Sequence, residues 1–316
     1  MALELQTVDE VDTTDNFIVA HSDADGISAA ALYLIANNID IEKVRFPEVF
    51  GDYVTPDDIM LDMTPLEGFK GLCIDHHPQH PENPEYQLIW DNVPTTYIVW
   101  KHFKENIPKG HWWKVVVGVA GDGQANVLEP MFWYMFPELL LVSESRYWGG
   151  SSYKNWEFPV YLRLASLINA AARSRNPNLA LRKLIEARTV DDILEDAELE
   201  AYRVQLSKRV SEIVNKEAKV YSLGPLRLVL YSAEERLGGR IAHRFWEEGM
   251  TVIAVNQQTN EVSIRGDLTT LLVELLNKGY GRFGGHAGYA GGELTNPIGP
   301  STLYELITKI FGGRYE

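Results

Sequence analysis

Along the first 125 residues, short apolar runs alternate with longer segments whose apolar positions recur with helical period. The runs "FIVAH", "KVRFPEVF", "DIMLDM" and "KGLCIDHH" predict strands or extended segments, because brief, largely apolar stretches suit strands buried on both faces. Beside them, "GISAAALYLIANN", "NVPTTYIVWKHFKEN" and "HWWKVVVGVAGDG" predict helices, the second opened by Thr95 or Thr96. Such alternation implies an α/β fold with a mostly parallel sheet covered on both faces, and a site at the carboxyl ends of its strands. From about 126 to 221 the pattern is helical, and it closes with the charged stretch "DDILEDAELEAYRVQLSKRVSEIVNKEAKV". Its length and polar period suit a helix bridging two lobes. Beyond 222, "LRLVLYSA", "GMTVIAVNQ" and "EVSIRGDL" predict strands around the helix "LGGRIAHRFWEEG". The expected organisation is an N-terminal sheet domain over 1–125, a helical region and linker helix over 126–221, and a smaller C-terminal α/β domain over 222–316.

Composition narrows the function. No run of about 18 apolar residues exists, so no membrane partner is expected. The opening "MALELQTVDEVDTTD" lacks the basic and apolar regions of a secretory signal, and the single cysteine, Cys73, cannot form an internal disulfide. Both point to the cytoplasm, with Cys73 a small buried strand residue. The net charge of −15, from 44 acidic and 29 basic residues, argues against a broad basic surface for long duplexes. Any nucleic-acid partner should be short, or a single strand gripped locally.

Four segments carry acidic or histidine residues directly after an apolar, strand-like run: "VAHSDADG" at 19–26, "IMLDMTP" at 59–65, "GLCIDHHP" at 71–78 and "VGVAGDG" at 117–123. Any one alone reads as a turn or helix cap. Together they would bring His21, Asp23, Asp25, Asp62, Asp75, His76, His77 and Asp122 to one sheet edge. So many carboxylates repel one another unless cations hold them. Oxygen donors with a few imidazoles suit two divalent ions, Mn²⁺ or Mg²⁺, a device that activates water and stabilises in-line attack on phosphorus. His80 reads as a surface histidine.

The ordered set "HSDADG", a strand-end Asp, "DHHP" and "GD" resembles the DHH phosphoesterase family, which includes RecJ-type exonucleases, oligoribonucleases, cyclic-dinucleotide phosphodiesterases and family II pyrophosphatases. At the other end, "SIRG" (263–266) and "RFGGHAGYAGG" (282–292) resemble the Ser-x-Arg and Gly-Gly-His elements of the DHHA1 domain. The resemblance implies that His21 and Asp23 ligate one metal, Asp25 and His76 the other, and that Asp62 and Asp122 bridge or share them. It implies His77 as general acid or phosphate-orienting group, with Asp75 behind it fixing a histidine. Ser263, Arg265, Gly284, Gly285 and His286 would hold the substrate on the far side of the scissile phosphate. Phe283 stands where relatives often carry a third glycine.

The glycine-rich His element argues against a pyrophosphatase, and the short chain argues against a long-strand exonuclease. The favoured expectation is a two-metal phosphodiesterase, Mn²⁺ preferred over Mg²⁺, releasing nucleoside 5′-monophosphates from one end of short oligonucleotides. Cyclic dinucleotides, single-strand 3′→5′ degradation, a non-catalytic replication scaffold and a nucleotide-binding module are the alternatives, and a homo-oligomer is compatible with all. Tyr147, Trp148, Tyr153 and Trp156 in "SRYWGGSSYKNW" read as an inter-helix loop packing on itself, or as base-stacking groups.

Overall fold

The computed structural model describes residues 16–47, 55–65, 67–149, 152–286 and 288–311. Five parallel strands, β1 (Ile18–Ala20), β2 (Val44–Arg45), β3 (Ile59–Leu61), β4 (Leu72–Asp75) and β5 (Gln87–Trp90), form the first sheet in the order β2-β1-β3-β4-β5. Every residue of β1, β3 and β4 is buried, which is why they appear in the sequence as apolar runs without alternation. β5 lies at the sheet edge with only Ile89 fully buried, so "QLIW" carries no such signal.

Helices α1 (Ala24–Asn37), α2 (Thr95–Phe103) and α3 (Trp113–Gly121) pack together beside this sheet. Ile18, Ala20, Ile59, Leu61, Leu72 and Ile74 share the helices' core. The alternate residues Val19, Met60 and Cys73 face the other way, onto Met63, Phe69 and Tyr86. Among the described residues, that second face is thus covered by strand connections and not by helices. The close approach of the helices depends on missing side chains. A Cβ at Gly118 would collide with Thr96 Oγ1, and one at Gly26 would collide with the His21 carbonyl oxygen.

The middle is not purely helical. α4 (Pro130–Met135) is followed by a hairpin of two eight-residue strands, β6 (Val142–Gly149) and β7 (Ser152–Pro159), which pair only with each other. The aromatic stretch read as an inter-helix loop is this hairpin, with Trp148 opposite Tyr153 and Tyr147 opposite Lys154; its side chains lie outside the described residues. α5 (Val160–Arg173) and α6 (Pro177–Glu186) follow. The long charged stretch is broken into α7 (Val190–Leu194) and α8 (Ala197–Glu212), because the Asp196 carboxylate accepts hydrogen bonds from the Glu198 and Leu199 amides and starts a new helix. Leu199 packs in the first core, whereas Leu206 and Val210 pack against the second sheet.

That sheet contains β8 (Lys219–Leu223), β9 (Leu226–Tyr231), β10 (Thr251–Asn256), β11 (Glu261–Gly266), β12 (Gly281–His286) and β13 (Gly288–Leu294) in the order β12-β13-β11-β10-β9-β8. Only the β9–β10 pair is parallel. α9 (Gly238–Phe245) covers one face, with Ile241 and Ala242 on Val229 and Val252. α10 (Thr269–Asn277) and α11 (Pro300–Phe311) cover the other, where Leu272, Leu276 and Leu306 meet Leu228, Ile253 and Ile264.

Candidate metal centre

The chain leaves β1 toward β2 and leaves β3 toward β4, in opposite directions along the sheet. A crevice opens outside the carboxyl ends of strands at such a reversal, and the acidic groups collect there. His21 follows β1, Asp62 follows β3, and Asp75 ends β4 with His76 and His77 after it. Asp23 caps α1 by accepting a hydrogen bond from the Gly26 amide at 3.0 Å, and Asp25 lies in that helix's first turn. Asp122 arrives from a helix, as the residue that ends α3, the helix expected over "HWWKVVVGVAGDG".

Asp62 is the centre of the arrangement. Its Oδ1 lies 3.1 Å from His76 Nε2 and its Oδ2 lies 3.5 Å from His21 Nδ1. One carboxylate thus spans two groups of ligand-type atoms: His21, Asp23 and Asp62 on one side, Asp25, His76 and Asp122 on the other. His21 Nδ1 also meets Asp23 Oδ2 at 2.9 Å. The backbone of Asp62 has φ of 61°, a left-handed conformation uncommon outside glycine. Asp122 Oδ2 is buried without a hydrogen bond, although His76 Nε2 lies 3.3 Å from it. A buried, unbonded carboxylate oxygen in a cluster of carboxylates and imidazoles is the donor set of hard divalent cations, and these residues fit a pair of them.

Electrostatics point the same way. Burial alone would lower the His76 imidazole, yet the hydrogen bond and charge of Asp62, with Asp25 and Asp122, push it up to about 10. Burial opposes ionisation of Asp62, but hydrogen bonds from His21 and His76 hold its carboxyl far below the usual range. His21 is raised well above an ordinary imidazole by Asp23 and Asp62 despite its desolvation. Burial, then the Asp62 charge, pushes Asp25 up to about 7, and burial with Asp25 and Asp62 raises Asp122. Raised imidazoles and carboxyls mark a place where negative charge is buried and concentrated, which divalent cations would neutralise.

Asp75 is wholly buried and accepts four hydrogen bonds. Its Oδ1 takes the His76 amide at 2.8 Å and His77 Nδ1 at 2.7 Å; its Oδ2 takes His80 Nε2 at 3.0 Å and the Thr64 hydroxyl at 3.3 Å. His80, read from the sequence as a surface residue, has a side chain only 6% exposed. The strand connection folds back and buries it against Tyr86, whose hydroxyl lies 2.8 Å from Nδ1.

In the second sheet, Ser263 and Arg265 lie two residues apart on one face of β11, and Arg265 stacks on the Tyr289 ring at 4.1 Å. The glycine-rich element is the β12–β13 hairpin. Gly285 has φ of 141°, where a Cβ would collide with the Tyr289 carbonyl. A Cβ on Gly284 would lie 4.0 Å from Gln79, two residues beyond His77, so this hairpin faces the metal centre's own loop. His286 is the last residue of β12; its side chain lies outside the described residues. Phe283 anchors the hairpin in the core, its backbone exchanging two hydrogen bonds with the Asn277 side chain.

By sequence the chain matches no family model and no curated protein. By fold it matches RecJ from Thermus thermophilus, solved in complex with Mn²⁺, with a TM-score of 0.63 at 15% identity over 95% of this chain and 52% of that one. The DHH domain of a protein assigned to a family of ribosomal proteins gives 0.58 at 14% identity, over 93% and 86% of the two chains. An exonuclease RecJ bound to manganese gives 0.57 at 15% identity, over 95% and 90%. The chain has the DHH fold. It spans about half the length of the Thermus RecJ chain.

In this DHH fold the six residues read as metal ligands from the sequence do converge. Sequence reasoning missed Thr95 and Thr96, which bind the cluster from α2. Their amides donate to the two oxygens of Asp25 at 2.7 and 3.0 Å, and the Thr95 hydroxyl donates to Asp62 Oδ1 at 3.1 Å. Neither threonine caps its own helix, a role taken by Pro94 without a side-chain bond. Arg236 was missed too: it donates to the Ser22 hydroxyl at 3.4 Å, tying the C-terminal lobe to the segment between His21 and Asp23.

Proposed function

We propose that this protein is a metal-dependent phosphodiesterase acting on short oligonucleotides from one end and releasing nucleoside 5′-monophosphates. The observation that carries the reading is the Asp62 carboxylate placed between two His/Asp groups, with a buried Asp122 oxygen lacking a hydrogen bond. His21, Asp23 and Asp62 would hold one divalent cation; Asp25, His76 and Asp122 would hold the second, with Asp62 shared. When bound, such ions supply positive charge to the phosphate and lower the pKa of water.

The chain's own residues do the rest. Asp75 accepts the His77 Nδ1 proton, so proton transfer is assigned to Nε2. The hydrogen bond and charge of Asp75 raise the His77 imidazole against its desolvation, the direction a general acid needs. Water oxygen bonds to phosphorus, the bond from phosphorus to the leaving 3′-oxygen breaks, that oxygen takes the Nε2 proton, and the water proton goes to solvent. Arg265, with Ser263 and the β12–β13 hairpin, holds the nucleotide beyond the scissile phosphate. The RecJ structures with Mn²⁺ support this reading by fold.

The test is product analysis with Mn²⁺, and separately Mg²⁺, on a dinucleotide, a short RNA, a short single-stranded DNA, a cyclic dinucleotide and pyrophosphate. Fastest mononucleotide release from the shortest linear substrates, quicker with Mn²⁺, is the expected result. Preference for the cyclic dinucleotide would move the substrate assignment. Silence across the panel while calorimetry shows bound Mn²⁺ would overturn the enzymatic reading.

A further inference from the structure

Behind His77 runs a chain of hydrogen bonds of which the proposed mechanism uses only the first: His77 Nδ1 to Asp75 Oδ1 at 2.7 Å, Asp75 Oδ2 to His80 Nε2 at 3.0 Å, and His80 Nδ1 to the Tyr86 hydroxyl at 2.8 Å. We propose that His80, oriented by Tyr86, is a positioning residue that fixes the rotamer and tautomer of His77 through the shared carboxylate of Asp75. The inference rests on the phosphodiesterase reading for its kinetic consequence, though its geometry stands apart.

Proton accounting supports a directional chain. The ionised Asp75 carboxylate can only accept, so the chain is completed by the His80 tautomer whose Nδ1 is bare and accepts from the Tyr86 hydroxyl. The remaining His80 proton is then on Nε2, and it points at Asp75. With one oxygen held by His80 and Thr64, the carboxylate cannot rotate, and its other oxygen is presented to His77 Nδ1. The His77 carbonyl is pinned as well, by the Trp90 indole N–H at 2.8 Å. Cys73, Asp75 and His80 also lie close enough together to suggest a separate metal site. Both nitrogens of His80 and both oxygens of Asp75 are already hydrogen-bonded, and Cys73 Sγ donates to the Met63 carbonyl, so this group is satisfied without an ion. Carboxylates placed behind an imidazole in this way fix its tautomer, and removing such a partner typically lowers activity about 10–100-fold.

The test combines kinetics on a dinucleotide with a double-mutant cycle. His80→Ala is expected to lower kcat about 10–100-fold while KM and Mn²⁺ affinity stay within about threefold. His80→Gln, which keeps a donor toward Asp75, recovers most of the loss. Tyr86→Phe, which opens little space, shows the same split in weaker form and serves if His80→Ala fails to fold. In a His77→Ala background the His80 substitution adds nothing. A loss of equal size in that background, or a loss that follows Mn²⁺ affinity, overturns the proposal. Should the wild type be inactive on every substrate, imidazole ¹⁵N NMR at a pH where His77 is neutral decides it: that form carries its proton on Nδ1 in wild type and His80→Gln and becomes a tautomer mixture in His80→Ala. An unchanged tautomer in His80→Ala refutes the positioning role whatever the activity.

Discussion

Asp62→Asn keeps the shape of the central side chain and removes its charge. Two effects oppose each other in the cation-free protein. Contacts to two imidazoles, at 3.1 and 3.5 Å, weaken; at about 1.5–3 kcal/mol for each hydrogen bond to a charged group, the loss is about 3–6 kcal/mol. After burial, however, the Asp62 charge is the main reason that Asp25 is pushed up to about 7, and it raises Asp122 as well. Removing it relieves a penalty of similar order, about 1.4 kcal/mol for each pKa unit recovered. The cation-free Tm should therefore move by no more than about 5 °C. With Mn²⁺ present nothing compensates, because the oxygen pair shared between the two groups is no longer anionic. Saturation at about 100 times Kd stabilises the wild type by about 2.7 kcal/mol for each ion held, or about 4 °C in a chain of this size. Asp62→Asn should lose that increment, together with about 10³-fold in turnover, equivalent to about 4 kcal/mol. Thermal unfolding of both proteins in EDTA and in excess Mn²⁺ measures it. A variant that retains the full Mn²⁺ increment would refute the shared-ligand assignment.

Two further outcomes follow from the same geometry. Arg265→Ala removes the guanidinium stacked on Tyr289 and should raise KM about 10-fold or more with kcat within a few-fold, since a charge-assisted contact is worth about 1.5–3 kcal/mol; steady-state kinetics showing an unchanged KM would remove the anchor role. Lys114 is wholly buried, donates to the Ala187 carbonyl at the end of α6, and has its ammonium pushed down to about 7 by desolvation. The unfolded chain binds that proton up to about pH 10 and the folded chain does not, so this group's contribution to stability rises by about 2 kcal/mol from pH 7 to pH 9. Lys114→Met should lack this rise in paired urea titrations at the two pH values, and parallel curves for the two proteins would contradict it.

The reach of sequence reasoning can be traced residue by residue. His21, Asp62, Asp75, His76 and His77 were legible because each lies at or just past the end of a strand so buried that its apolar run stands out. Asp122 was legible at the end of the apolar run "VGVAGDG", within the stretch "HWWKVVVGVAGDG" that was expected to be helical and forms α3. The strands of the β12–β13 hairpin were not legible because glycines erase the alternation by which strands are recognised. His80 looked superficial because its partners, Asp75 and Tyr86, become neighbours only when the connection between β4 and β5 folds over the sheet.

By itself, the sequence determined the chemical types at the site and their order: carboxylates and imidazoles at strand ends, then a Ser-x-Arg strand and a glycine-rich His element. Those are properties of residue identity and of local hydrophobic period, which survive in one dimension. Only the tertiary structure decided that Asp62 lies between two groups, that Thr95 and Thr96 bind carboxylates 33 and 71 positions away, and that Arg236 reaches Ser22 across 214 positions. Such partners are selected by packing, because a buried polar atom must find a bond wherever the folded chain supplies one, and nothing in local sequence records which distant segment that will be.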